Sequence, residues 1–421
     1  MGNRAVEEAY SMARDRYGEL DVDTDSVLSR LEGVALSLPC WQGDDVTGFE
    51  KWGEGIRSGG IEVTGKYPGR ARTPEELRLD LEKAFSLLPG HHRLNLHAMY
   101  GDFQRESVDR DGVESRHYDG WVDWAKENEL KLDFNATCFS HPKADSGFTL
   151  SSSDSSIRSF WIEHVQRCRS ISAWMGQELQ SPCIHNLWVP DGMKDRPVDR
   201  WGFRNRLRES LDTIYSEKYS PEEMKDSVES KLFGIGSEAF VVGSYDFYLG
   251  YALAREKIIC LDLGHFHPTE SVADKISALL YFTGELLLHV SRGVRWDSDH
   301  VVVLNDAVRH LAEEIVTCDG LDRIHIALDF FDASIHRVGA LAIGARAVQK
   351  ALLMALLRPL DRLRGFEEEE DYFGRLALQE TLKTLPWGAV WDAFCQQNDV
   401  VSDADLIDAV QLYEKEVTSK R

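Results

Sequence analysis

Four short apolar runs in the second half of the chain, each broken by an acid or a histidine, constrain this sequence more than any other feature in it. They read VESKLF (228–233), IICLDLGHFHP (258–268), LLLHVSRGVRWDSDH (286–300) and RIHIALDFFD (323–332). Side chains alternate between faces along a strand, so a period of two sorts each run into two sets. One set is Ile259, Leu261 and Leu263; Leu286, Leu288 and Val290; Ile324, Ile326 and Leu328, all suited to packing beneath helices. The other is Glu229 and Lys231, Asp262, His289, and His325 with Asp329. The runs recur at roughly 30-residue intervals, with room for a helix between them, which is the spacing of successive βα units. Four consecutive parallel strands that turn hard ligands to one side predict a metal centre.

Upstream, the same alternation marks GVALSL (33–38), RLNLHAMY (93–100), LKLDFN (130–135) and CIHNLWVPDG (183–192) as strands. In the second of these, Leu94 and Leu96 face one way and Asn95 and His97 the other. Helices are expected over 74–88, opened by Thr73 and Pro74, and over 117–128, 156–180 and 200–215. An amphipathic helix opens the chain. Eight strands alternating with helices predict an α/β fold of the (β/α)8 TIM-barrel type rather than an open doubly wound sheet. No P-loop is present, and the GxG at Gly234 and Gly236 lacks the third glycine of a dinucleotide site. After Asp332 the pattern is helical over 333–364, with a break at Pro359, then over 371–397 and 403–419. The expected division is a catalytic barrel over 1–335 and a C-terminal helical extension over 336–421 that serves subunit contacts. Residues 43–71 are rich in glycine, as a mobile lid or a plain surface loop would be.

A net charge of −23, from 71 acids against 48 Lys and Arg, argues against nucleic acid and anionic membrane surfaces as partners. No stretch approaches 18 consecutive apolar residues, so no membrane span is expected. Seven scattered cysteines without CxxC spacing fit buried free thiols in a reducing compartment, and the default is cytoplasmic.

Asp is depleted in strands, and a buried carboxylate is costly unless it is paired or metal-bound. One such acid alone is most often a salt-bridge partner, here of Lys231 or Arg292. Three acids and a histidine on four successive strands reverse that balance. Carboxylates with one imidazole suit Mn²⁺, Mg²⁺ or Co²⁺ better than a structural Zn²⁺. A second group lies beside the first: His265 or His267 in GHFHP, and Asp297 with Asp299 in WDSD. Three ligands leave coordination positions for water and substrate, the mark of a catalytic centre. Lys231 points to the same mouth, either as a cation that polarises substrate or as charge balance. Trp41 and Trp188 are candidates to stack on an apolar face of a substrate, or else core residues.

The stretches CWQGDD, RLNLHA, CFSHP, PDGMKD, ESKLFGIG, GHFHPTE, ADKIS, VRWDSDHVV and LDFFDASI, taken together, resemble the L-rhamnose isomerase family nearly end to end. The resemblance implies a (β/α)8 barrel similar to xylose isomerases, a homotetramer, and two divalent cations per subunit, Mn²⁺ by preference, with Co²⁺, Mg²⁺ or Zn²⁺ as alternatives. It implies a structural site of Glu229, Asp262, His289 and Asp329. A catalytic site of His265, Asp297 and Asp299 follows, which selects His265 over His267, with Asp262 as a possible bridge. Lys231 and His97 are the implied substrate contacts, with Trp188 a further candidate to stack on the sugar's apolar face, and Asp297, Asp299, His265 and Lys231 are the implied catalytic group. The implied reaction interconverts L-rhamnose and L-rhamnulose by a water-assisted hydride shift between C2 and C1. A cis-enediol route through a general base is its rival. The alternatives are an isomerase of another aldose, a two-metal phosphoesterase on the same barrel, and a non-catalytic sugar-binding barrel.

Overall fold

The computed structural model describes residues 3–50, 63–104, 106–233, 239–294 and 297–421. The parts of the glycine-rich stretch at 51–62, and Gly234 and Gly236, lie outside the described residues. Ten strands follow the sequence order: β1 (Leu36–Pro39), β2 (Arg93–His97), β3 (Lys131–Asn135), β4 (Cys183–Trp188), β5 (Gly192–Met193), β6 (Met224–Glu229), β7 (Phe240–Val241), β8 (Ile258–Asp262), β9 (Leu286–Val290) and β10 (Ile324–Leu328). Eight of them close a barrel in the order β1-β2-β3-β4-β6-β8-β9-β10, while β5 and β7 form a separate antiparallel ribbon. Every barrel pairing is parallel, and β1 closes the ring against β10 with Leu36 opposite Ile326.

Each barrel strand is followed by a helix: α3 (Pro74–Phe85), α4 (Asp119–Glu127), α5 (Ser155–Leu179), α6 (Arg200–Ile214), α7 (Tyr245–Arg255), α8 (Ala273–Leu280), α9 (Asp306–Thr317) and α10 (Arg337–Leu356). Two helices precede the barrel, α1 (Asn3–Gly18) and α2 (Thr24–Glu32), and four follow it, α11 (Leu360–Glu368), α12 (Tyr372–Leu382), α13 (Trp387–Gln397) and α14 (Asp403–Glu416). The single helix expected over 371–397 is two, because Pro386 leads into α13 and donates no N–H to continue α12. By length and composition α10 would pass for a membrane-crossing helix, against the expectation that no segment would. It packs against α9, α3, α2 and β1, and that burial accounts for its apolar composition.

The period-two partition holds. Ile259, Leu261, Leu286, Leu288, Val290, Ile324, Ile326 and Leu328 join the core between strands and helices. A separate small cluster, Ile184, Ile258, Cys260, Leu287 and Ala327, fills the barrel interior. One boundary differs with consequence. VESKLF suggested that Glu229 opens its strand, whereas β6 begins at Met224 and Glu229 ends it. Lys225 and Asp226 hide the strand because they break the apolar alternation. Both are absorbed by ion pairs near the N-terminal end of the barrel. Asp226 accepts from Arg169 Nε and Nη2 at 2.8 and 2.9 Å and from Lys257 Nζ at 2.7 Å, and Lys225 Nζ meets Glu285 at 2.6 Å. His325 shares the inward face with Asp329 but lies early in its strand, where its Nε2 is 2.6 Å from Glu285.

Burial works to raise the Asp226 carboxyl, but Arg169 and Lys257 outweigh it and hold the group below its ordinary range. Asp226→Asn leaves two buried cations short of a counter-charge and is expected to cost about 3–5 kcal/mol, read from denaturant midpoints at neutral pH. A folded-state value below the unfolded one gives stability that is present above about pH 4 and lost as pH falls further. The variant should therefore show a shallower acid-side loss than the parent.

Candidate active site and metal centre

Parallel strands bring their C-terminal ends to one rim, and the acids gather there. Glu229 and Asp262 are the last residues of β6 and β8, Asp262 lies opposite His289 of β9, and Asp329 follows β10 directly. His289 Nδ1 stands 3.3 Å from Glu229 Oε2, 3.3 Å from Asp329 Oδ2 and 3.9 Å from Asp262 Oδ2. One ligand atom from each of the four lies within 4.8 Å of all the others. Glu229, Asp262 and His289 are all buried.

The second group adjoins the first. His265 Nδ1 is 3.1 Å from Glu229 Oε1, and its Nε2 is 3.4 Å from Asp297 Oδ2. Lys231 pairs with the same Asp297 oxygen. Gly264 makes this approach possible, since a Cβ there would sit 2.8 Å from Asp297 Oδ1. Asp299 takes a left-handed backbone at φ 41°, a conformation Asp tolerates better than most residues. Its carbonyl accepts the Phe331 N–H at 3.1 Å, so the loop after β9 is tied to the one after β10. His267, the other histidine of GHFHP, is exposed and meets Thr269 Oγ1 at 2.8 Å.

Hydrogen bonds aim each carboxylate. Asn186 Nδ2 donates to Glu229 Oε2 at 2.6 Å, Trp41 Nε1 to Asp329 Oδ1 at 3.0 Å, and the Gly264 N–H to Asp262 Oδ1 at 2.6 Å. Asn186 escaped the sequence reading; its parity with Trp188 on β4 places it on the inward face and was the signal available. Trp41, read as a stacking candidate, holds an acid in place.

A cavity of about 540 Å³, open side included, lies over these groups. Its walls include Trp41, Val46, His97, Phe139, Trp188 and Phe331, with Lys231, Glu229, His265, His289, Asp299 and Asp329 facing in. The His97 ring meets Trp41 edge-on at 5.0 Å and Phe139 at 5.6 Å, and its Nδ1 is 3.1 Å from Thr137 Oγ1. Lys231 Nζ lies 5.1 Å above Trp188, whose ring is stacked against His265. The structure thus gathers Glu229, Asp262, His289, Asp329, His265, Asp297, Asp299, Lys231, His97 and Trp188 at one mouth.

The charges there cannot coexist without compensation. Burial pushes the Asp262 carboxyl up to about 7, with the charges of Asp329, Glu229 and Asp297 adding to the effect. Burial also drives Asp299 well above the usual carboxylate range, helped by Asp297 and Asp329. At Glu229 burial acts the same way, but His289 and His265 overcome it and hold the group well below that range. Both imidazoles are raised against their own burial, His265 by Asp262 and Asp297 and His289 by Cys260, Glu229 and Asp329. Asp262 Oδ2, Asp297 Oδ1, His265 Nδ1 and both ring nitrogens of His289 are buried without a hydrogen-bond partner. A convergent set of unsatisfied oxygen and nitrogen donors is what a divalent cation requires, and the donor set fits one.

The sequence model of the L-rhamnose isomerase (RhaA) family matches residues 4–421. The chain is 56% identical over 421 residues to the L-rhamnose isomerase of Rhodopirellula baltica, covering 100% of this chain and 98% of that one. It is 54% identical over 417 residues to the L-rhamnose isomerase of Yersinia pseudotuberculosis serotype O:1b, covering 99% of each. A solved L-ribulose 3-epimerase structure is similar at a TM-score of 0.44 and 12% identity, covering 70% of this chain and 92% of that one. Matched from end to end at this identity, the chain belongs to the L-rhamnose isomerase family, whose activity is aldose–ketose isomerisation.

Proposed function

We propose that the protein interconverts L-rhamnose and L-rhamnulose at this mouth with two divalent cations, Mn²⁺ by preference. The observation that carries the reading is the convergence of buried, unsatisfied donors beneath an aromatic-walled cavity. Glu229, Asp262, His289 and Asp329 would hold one cation, and His265, Asp297 and Asp299 the other, with Asp262 between them. When bound, the cations supply Lewis-acid polarisation at the sugar's first two oxygens.

The side chains do the rest. Lys231, fixed by Asp297 and Trp188, presents its ammonium to a substrate oxygen. His97, anchored through Thr137, would meet sugar hydroxyls and Trp188 would stack on the sugar, while the aromatic walls keep bulk water from the reacting carbons. Glu229, Asp297 and Asp329 are engaged with imidazoles or with Lys231, which favours a direct shift of hydride from C2 to C1 over proton abstraction by one of these carboxylates. Family membership removes support from a phosphoesterase reading.

We further infer that the barrel runs through α10, its eighth helix, rather than ending near residue 335, and that α11–α14 form the extension. The apolar Tyr372, Phe373 and Leu376, exposed on α12, support a role for that extension in a homotetramer. Seven free cysteines, six of them buried, support a reducing, cytoplasmic setting.

Exhaustive EDTA treatment is expected to abolish ketose formation from L-rhamnose, and Mn²⁺ to restore it best when Mn²⁺, Co²⁺, Mg²⁺ and Zn²⁺ are returned singly. Turnover that persists in protein shown by elemental analysis to be metal-free would refute the reading. Sugar deuterated at C2 and converted in ordinary water should yield ketose that keeps the label at C1; exchange of the label into solvent would establish the enediol route instead. Asn186 acts on the cation through Glu229, so Asn186→Leu should weaken Mn²⁺ binding by about 10–100-fold in calorimetric titration. Unchanged affinity would remove its positioning role.

A further inference from the structure

Cys260 stands two residues before Asp262 on β8 and therefore faces the barrel interior with it. It is buried in the apolar plug and lies opposite Glu229 in register on one side and Leu287 on the other. Its sulfur is also within reach of the metal centre. Glu229, Cys260 and His289 each offer a donor atom, and the three lie within 4.8 Å of one another. This set shares two members with the set completed by Asp262 and Asp329. Independently, both ring nitrogens of His289 are buried and without hydrogen-bond partners. Each is open to a cation, whether that cation is held with the carboxylates or with the thiol.

We propose that the centre contains two overlapping donor sets that divide cations by softness: an oxygen-rich one for Mn²⁺ or Mg²⁺, and one completed by Cys260 that captures thiophilic ions such as Zn²⁺ and Cd²⁺. The inference rests on the metal reading above and extends it to a residue that reading leaves unused. Hard cations gain little from sulfur and take the carboxylates, whereas a soft cation gains most from a thiolate. A cation is bound by the thiolate form: the metal–sulfur bond forms as the S–H proton is released to solvent. An ion drawn toward Cys260 is drawn away from Asp329 and the substrate cavity, so the soft set competes with the productive one.

The test uses full-length protein stripped with EDTA and reloaded with Cd²⁺ or with Mn²⁺. Cadmium-loaded protein should show an ultraviolet sulfur-to-cadmium charge-transfer band, and manganese-loaded protein none. The band should vanish in Cys260→Ala, and cadmium X-ray absorption of the unmutated protein should find a sulfur neighbour, a readout that survives if the variant fails to fold. Cadmium bound with only nitrogen and oxygen neighbours, or a band unchanged in Cys260→Ala, overturns the Cys260 set and leaves the metal reading standing. Failure to take up either ion overturns both.

Discussion

Like charges packed at the C-terminal rim of the barrel are the constraint around which the molecule is arranged. Glu229, Asp262, Asp297, Asp299 and Asp329 approach one another where little water can screen them, and burial, with the neighbouring charges adding to it, lifts Asp262 to about 7. Two imidazoles and Lys231 offset part of the negative charge. The donors still without partners mark what the protein alone does not supply. Three of the acids, Glu229, Asp329 and Asp262, are aimed by groups outside the cluster, namely Asn186, Trp41 and the Gly264 amide. A scaffold that let the acids separate would relieve their repulsion and lose the site.

The opposite end of the barrel handles charge differently. There Asp226 is enclosed by Arg169 and Lys257, Asp133 by Arg93 at 2.8 Å, and Glu285 by Lys225 and His325. These acids and bases are matched within hydrogen-bond distance. The apolar plug of Ile184, Ile258, Cys260, Leu287 and Ala327 separates the two ends. Parallel strands make the contrast possible because all eight carry their reactive ends to the same rim.

This division explains what could be read from the chain. Strands with clean alternation, such as IICLD and LLLHV, disclosed both their faces and the acid or histidine carried to the rim. The strand MKDSVE did not, because Lys225 and Asp226 serve partners on α5 and in the turns before β8 and β9 that local sequence cannot name. Glu229 was thus legible as an inward-facing acid but not as a strand terminus. Asn186 was legible as inward-facing, yet an amide carries no charge to advertise its partner. The left-handed Asp299 and the bond from Phe331 to its carbonyl are products of loop packing, which no periodicity reports. α10 was readable as a long apolar helix, but its place as the eighth barrel helix depends on contacts with α9 and α3.

The cavity walls are built by other means than the acids. Arg110, 1% exposed, grips Glu50 with two bonds of 2.8 and 3.0 Å and donates to the carbonyls of Thr137, Phe139 and Ser140. That turn supplies the hydroxyl facing His97 and the ring facing Trp188, so one buried guanidinium suspends a wall of the sugar cavity. Across the mouth, Arg337 takes both oxygens of Asp45 at 2.7 Å and the carbonyls of Tyr67 and Pro68, fixing the loop that carries Val46. Only a planar fork with several fixed donors serves such a junction, which a lysine could not replace. Glu229 and Asp262 belong to strand ends, whereas the walls at Val46 and Phe139 belong to loops hung from arginines. A change in the loops around Val46 or Phe139 reshapes the cavity, while Glu229, Asp262 and His289 stay where the barrel puts them.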